Sequence, residues 1–249
     1  MKSIMPSAVI YESASLEDDV EIGHNVVVLS GSRPEQVTSI RQGAIVGANS
    51  TIYEGVTIGI RAQVLPGSVV KQSVPPLAMV EGNPAAIIGY IDTPSNARKQ
   101  AQRPVNSREV ESAVRGVKIY NFSDIHDMRG NLSVGEFERQ IPFQPKRYFV
   151  VYGVPTAETR GEHAHVNCHQ FLIAVNGSIN VIADDGKVRE EFVLDRKNVG
   201  LYLPPMTWGI QYKYSRDAIL LAFASAFYDP GDYIREYDVF IRRANSAYP

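Results

Sequence analysis

"GAIVGANSTIYEGVTIG", Gly43 to Gly59, repeats itself every six residues. Val46, Ile52 and Ile58 hold one place in each hexad, and Ala44, Ser50 and Val56 hold a second. A period of six is neither the 3.6 of a helix nor the alternation of a simple strand. It suits a parallel β-helix, in which short flat strands joined by turns stack coil upon coil. Followed outward, the first register runs back through Ile40, Val28, Ile22, Leu16, Ile10 and Ile4 and forward through Val64 and Val70, while Ala62 and Ser68 extend the second. Between Val28 and Ile40 the step is twelve, across "GSRPEQVTS", so 31–39 reads as a loop thrown out at a corner. With three hexads to a turn this makes about four coils. The glycines at 23, 43, 47, 55, 59 and 67 are expected at turns, where positive φ costs them least.

The period stops near residue 92. Residues 93–116 are polar and charged and read as a linker with one short helix. From 117 to 249 the chain changes character: "RYFVVYGV", "QFLIAVNGSINVIADDG", "EEFVLD", "VGLYLPP" and "AILLAFAS" are short, rich in β-branched and aromatic residues, and punctuated by Asn-Gly, Asp-Gly and Pro. That pattern predicts a jelly roll or cupin barrel. The expected fold is mainly β: a parallel β-helix over 1–92, a linker over 93–116 and a cupin barrel over 117–249.

Composition excludes several classes. A chain of 249 residues with 44% hydrophobic content builds a buried core, and a net charge of -2 without a Lys/Arg run is no footprint for nucleic acid. No apolar run spans a bilayer, and "MKSIMPSAVIYESASLEDD" lacks the apolar core of a signal peptide, so no membrane partner and a cytoplasmic location are expected. The single cysteine, Cys168, forms no internal disulfide and agrees with a reducing compartment.

Chemistry concentrates in "RGEHAHVNCHQFLIAVNG", Arg160 to Gly177. Residues two apart on a strand face one side, so His163 and His165 point together and Gln170 faces them from the next stretch. The spacing matches the first cupin motif, but Gln170 stands where metal-binding cupins have Glu, and "GLYLPPMTWGIQYKY" lacks the histidine of the second motif. An uncharged amide is a poor ligand and two imidazoles leave a metal's shell unfilled, so no metal is expected; the odd parity of Cys168 relative to His165 argues against a rescuing thiolate. Two imidazoles on one interior face without an ion suit acid/base work near neutrality.

Two resemblances add to this. Residues 16–92, with "SVPPLAMVEGNPAAIIGYI" at their end, resemble the hexapeptide acyltransferases, above all the sugar nucleotide N-acetyltransferases. The resemblance implies a left-handed coil, trimers through the flat faces, and acetyl-CoA as co-substrate if the stem is active. Coils that precede the loop in that family are missing, which leaves His24, in "EIGHN", as the one nearby base for acyl transfer.

The blocks "DMRGNLSVGEF", "IPFQPKRYFVVYGVP", "RGEHAHVNCHQFLIAVNGSINVIADDG", "GLYLPPMTWGIQYKY" and "YDPGDYIREYDVF" resemble, in order, those of the dTDP-sugar 3,4-ketoisomerases, metal-free cupins acting on dTDP-4-keto-6-deoxy-D-glucose. This implies a carbonyl shift from C4 to C3 through an enediol, without a cofactor, in the making of a deoxyamino sugar for cell-surface polysaccharide such as O-antigen. It assigns proton handling to His163 and His165, with His165 the base at C3. Arg129, Arg147 and Arg160 are implied for the diphosphate, Gln170 for the substrate, and Trp208 and Tyr212 for the thymine. A tyrosine that members carry after the "KR" block is Val150 here, and Tyr148 and Tyr152, on its strand face, are the expected replacements as proton donors. The alternatives are a bifunctional ketoisomerase and acetyl-CoA-dependent sugar N-acetyltransferase, or a non-catalytic cupin that binds a sugar nucleotide. A homo-oligomer is expected, trimeric through the stem or hexameric if the cupins also pair.

Overall fold

The computed structural model describes residues 1–94, 109–155 and 158–247, and the chain divides into two compact units, Met1–Asp92 and Thr93–Pro249. In the first, every member of the main hexad register ends a two-residue strand. Three parallel ladders result. One runs through β1 (Ser3–Ile4), β4 (Glu21–Ile22), β7 (Ile45–Val46) and β10 (Gln63–Val64); the second through β2 (Val9–Ile10), β5 (Val27–Val28), β8 (Thr51–Ile52) and β11 (Val69–Val70); the third through β3 (Ser15–Leu16), β6 (Ser39–Ile40) and β9 (Thr57–Ile58). Partners such as Ile45 and Gln63 lie one three-hexad coil apart, but Glu21 pairs with Ile45, so one whole hexad is spliced out of the stack between β5 and β6. It carries a 3-10 turn, Pro34–Gln36.

Both registers point into the coil. Ile22, Val28, Ile40, Ile52 and Ile58 are buried, as are Ala44, Ser50, Val56, Ala62 and Ser68. The interior hydroxyls are satisfied by the turns: Ser68 Oγ donates to the Leu65 carbonyl at 2.6 Å and Thr38 Oγ1 to the Leu29 carbonyl at 2.6 Å. The glycines fall into two kinds, which corrects the single reason expected for them. Gly55 takes φ +74, whereas Gly59 has ordinary φ and is glycine because a Cβ there would sit 2.5 Å from the backbone nitrogen of Pro76. The hairpin of β12 (Ala78–Gly82) and β13 (Ala85–Tyr90) ends the stack, β12 pairing parallel with β10.

The second unit is two antiparallel sheets. The larger has the order β14 (Glu109–Glu111), β15 (Lys118–Asn121), β23 (Val199–Leu203), β20 (Gln170–Asn176), β25 (Ile219–Ala224), β18 (Arg147–Tyr152). The other runs β22 (Arg189–Leu194), β21 (Ile179–Asp184), β24 (Trp208–Tyr212), β19 (Arg160–His165), β26 (Tyr233–Ile234). Alternate residues of both sheets, among them Leu172, Val181, Leu201 and Leu220, form the core between them. A hairpin of β16 (Ser123–Asp127) and β17 (Gly130–Val134) stands apart, and helix α1 (Tyr237–Ala247) follows β26.

The stretch 109–116 is strand and turn of this unit, where a linker was expected. Val114 joins the core, and the Glu190 and Asp185 carboxylates accept the backbone N–H groups of Ala113 and Arg115. The rest of the expected linker, with its helix, lies mostly outside the described residues. Among the described residues no helix is long and apolar enough to cross a membrane.

Candidate active site

β19 turns His163 and His165 to the interior, their ring centroids 4.9 Å apart and edge to face. One step earlier the strand is bulged: its register with β24 shifts between Gly161 and His163, and Gly161 (φ +86) and Glu162 (φ +52) enter the left-handed region. A side chain at 161 would press on the Gly209 carbonyl oxygen, 2.6 Å from its Cβ, so the position requires glycine. The bulge sets Arg160 opposite Gln211 and His163 opposite Gly209, which brings Arg160 to the histidines' face despite the odd spacing.

His165 is 5% exposed and held at both nitrogens. Its Nδ1 donates to Asp232 Oδ2 at 2.9 Å, because a carboxylate only accepts, and the Gln170 amide donates to its Nε2 at 3.0 Å. Asp232 is itself pinned, accepting the backbone N–H groups of Asn167 at 2.7 Å and Cys168 at 3.3 Å. These bonds fix the tautomer with the lone pair on Nε2, beside the cleft that His163, Gln170, Thr207 and Gln211 line with it. His163 donates from Nδ1 to the Gly161 carbonyl at 2.8 Å, leaving its Nε2 lone pair free of that bond.

Burial lowers the pKa of both rings. His163 falls to about 4, chiefly through desolvation, against the opposing bond to Gly161 and with help from the neighbouring His165. His165 is lowered by desolvation too, with Asp232 pulling the other way. Both are therefore neutral at pH 7, the form a base needs.

Behind the rings lies Tyr233, its centroid 4.4 Å from His165 and 4.9 Å from His163. Arg147 donates to its hydroxyl at 3.3 Å, and the Arg235 guanidinium covers its ring at 4.6 Å. Among the described residues Arg147 Nε is buried without a hydrogen-bond partner, an unspent donor on the guanidinium that reaches Tyr233.

Of the residues singled out from sequence, His163, His165, Gln170 and Arg147 come together, and Arg160 lies exposed at the start of β19 on their face. The others lie elsewhere. Trp208 and Tyr212 have the opposite parity to Gly209 and Gln211: Trp208 packs against Tyr237 and Phe240 of α1, and the Tyr212 hydroxyl bonds Glu191, so neither lines the cleft. Tyr148 and Tyr152 are 69% and 71% exposed, since Arg147 and Val151 take the inner face of β18. Arg129 sits on the hairpin turn, paired with Asp127 at 2.6 Å. His24 is exposed on a turn of the stem, its Nδ1 3.0 Å from Ser7 Oγ.

Cys168 also departs from expectation. It lies on the turn beyond β19, where strand parity does not apply, and one ligand atom from each of His165, Cys168 and Asp232 falls within 4.8 Å of the others. Sequence reasoning missed Asp232 and Tyr233, both inside the quoted block "YDPGDYIREYDVF". A buried carboxylate partner for a motif histidine was the signal to look for.

Two antiparallel sheets enclosing an imidazole pair, following hexapeptide coils in the chain, define a cupin barrel fused to a β-helical stem. Within the cupins, residues 115–245 match the family described as FdtA: WxcM-like, C-terminal, and the chain belongs to that family. A TDP-4-oxo-6-deoxy-alpha-D-glucose-3,4-oxoisomerase of Aneurinibacillus thermoaerophilus is 42% identical over 123 residues, 49% of this chain and 88% of that protein. The crystal structure of QdtA, a sugar 3,4-ketoisomerase of Thermoanaerobacterium thermosaccharolyticum in complex with TDP, superposes with TM-score 0.53 at 35% identity, over 54% of this chain and 98% of that one. The stem is similar to a dTDP-3-amino-3,6-dideoxy-alpha-D-galactopyranose 3-N-acetyltransferase of A. thermoaerophilus, 48% identical over 54 residues, 22% of this chain and 28% of that enzyme.

Proposed function

We propose that the cupin unit is a sugar nucleotide 3,4-ketoisomerase acting on dTDP-4-keto-6-deoxy-D-glucose in the cytoplasm. The observation that carries this is the state of His165: Nδ1–H locked on Asp232, and Nε2 offered as a lone pair at the cleft. In the reaction Nε2 takes the proton from C3, the electrons of that C–H bond form the C3–C4 double bond, and the C4 carbonyl becomes an enediolate oxygen. His163 moves the hydroxyl proton from O3 to O4, and His165, whose captured proton exchanges with solvent, protonates C4. Atoms and charge balance without a cofactor. Gln170 shifts from its bond with Nε2 to the sugar, and Arg147, with its unpaired Nε, holds the diphosphate together with Arg160. Incubation with the ketosugar, followed by NMR, gives the 3-keto isomer on this reading; unchanged substrate at high enzyme concentration contradicts it.

A second reading rests on the likeness of the stem to an N-acetyltransferase, which would make the protein bifunctional. We take the stem as the device that assembles the enzyme. Binding of acetyl-CoA in calorimetry, with turnover of a dTDP-3-amino sugar that His24→Ala abolishes, would establish the second activity instead.

A second copy of the cupin is also proposed. Among the described strands β18 pairs on one side only, and it exposes Tyr148, Val150 and Tyr152, while the separate hairpin exposes Ile125 and Leu132. Exposed apolar edge strands are normally covered. A Tyr148→Arg, Tyr152→Arg double variant should halve the mass seen by light scattering.

A further inference from the structure

We propose that His165, Cys168 and Asp232 form a binding site for a thiophilic divalent cation of the zinc class, and that the bound ion switches the catalytic base off. One ligand atom from each of the three residues already lies within 4.8 Å of the other two; a tetrahedral ion would draw the widest pair in by about 1 Å and open the Nδ1–Oδ2 pair, now 2.9 Å apart, by a few tenths. Imidazole, thiolate and carboxylate together are the donor set that zinc favours over magnesium or calcium. Each donor is held by the fold. Asp232 is fixed by two backbone N–H groups, and among the described residues the buried Cys168 thiol makes two weak contacts, donating to the His169 carbonyl at 3.4 Å and accepting from Ser225 Oγ at 3.9 Å. Nothing in the isomerisation uses this thiol.

The nitrogen of His165 that faces Asp232 is Nδ1, so the ion takes the place of the Nδ1 proton. That proton moves to Nε2, the ring stays neutral, and the thiol releases one proton to solvent. Gln170 accommodates the change by rotating its amide, presenting Oε1 to the new Nε2–H where it had presented its NH2 group. The lone pair at the cleft is gone. Ion and proton thus compete for one nitrogen, and only the protonated state of Nδ1 leaves a base.

Binding stands on geometry alone, whereas the inhibition rests on the isomerase reading; a titration without substrate separates the two. Cobalt(II) is the probe, added to the full-length protein under anaerobic conditions. Thiolate-to-cobalt charge-transfer absorption should appear, with one proton released per ion in weak buffer, and zinc should bleach it. Cys168→Ser, close to isosteric, should remove the charge-transfer band and weaken zinc binding by about tenfold or more. Cys168→Ala, judged folded by its circular dichroism, should do the same. No charge-transfer band, or a band that survives in both variants, overturns the site. Zinc that binds without lowering isomerisation overturns the switch.

Discussion

His165, the proposed base, is oriented by two partners far apart in the chain, Gln170 five residues on and Asp232 sixty-seven residues on. His165→Asn should lower turnover by about 10²- to 10⁴-fold, as loss of a general base does, with TDP affinity retained. Asp232→Asn keeps the backbone bond from Asn167 but turns an N–H toward His165, forcing the proton to Nε2. Its kcat should fall on the order of 10²-fold or more while KM holds, with the acid limb of the pH profile displaced. Folding linkage tests His163. Its pKa falls from 6.5 to about 4, so between those values the unfolded chain binds a proton that the native state refuses. The stabilisation is full above pH 6.5 and is lost as pH falls toward 4, on the order of 3 kcal/mol, and His163→Asn should flatten that slope in thermal unfolding. The pair itself was readable because a two-residue spacing on a strand leaves one geometry. Asp232 was not, because a carboxylate brought in by the 3-10 turn Pro230–Asp232, just before β26, carries no local mark.

At the level of elements, parity separates what worked from what failed. The hexad is an absolute register: a residue six places on meets the same coil environment, and Val46, Ile52 and Ile58 are buried as the repeat requires. In the barrel parity is only relative. Trp208 and Gln211 share β24, yet the first packs on α1 and the second lines the cleft, and nothing in "PPMTWGIQY" says which face is inward. Trp208→Ala should therefore cost about 3–5 kcal/mol of stability, a core penalty, and leave TDP binding by the folded fraction unchanged in calorimetry. Gly59→Ala sets a methyl group 2.5 Å from the Pro76 nitrogen, and should lower the unfolding midpoint of the stem at a cost of about 1–3 kcal/mol.

Across the whole molecule, two units with unlike periods are joined in one chain, and the change of period near residue 92 marks their boundary in the sequence as contacts do in the structure. Each unit has its own core, so damage in one should register in its own unfolding transition: calorimetry of Gly59→Ala should move one of two transitions and leave isomerisation intact. On the proposed reading the chemistry belongs to the cupin, and it requires that His165 take the proton from one sugar carbon and protonate the next. The most direct measurement is deuterium incorporation into dTDP-4-keto-6-deoxy-D-glucose in heavy water, wild type beside His165→Asn. Deuterium entering at the isomerised carbons with the wild type, and failing to enter with the folded variant, is the predicted result; equal exchange by both proteins would contradict the assignment of the base.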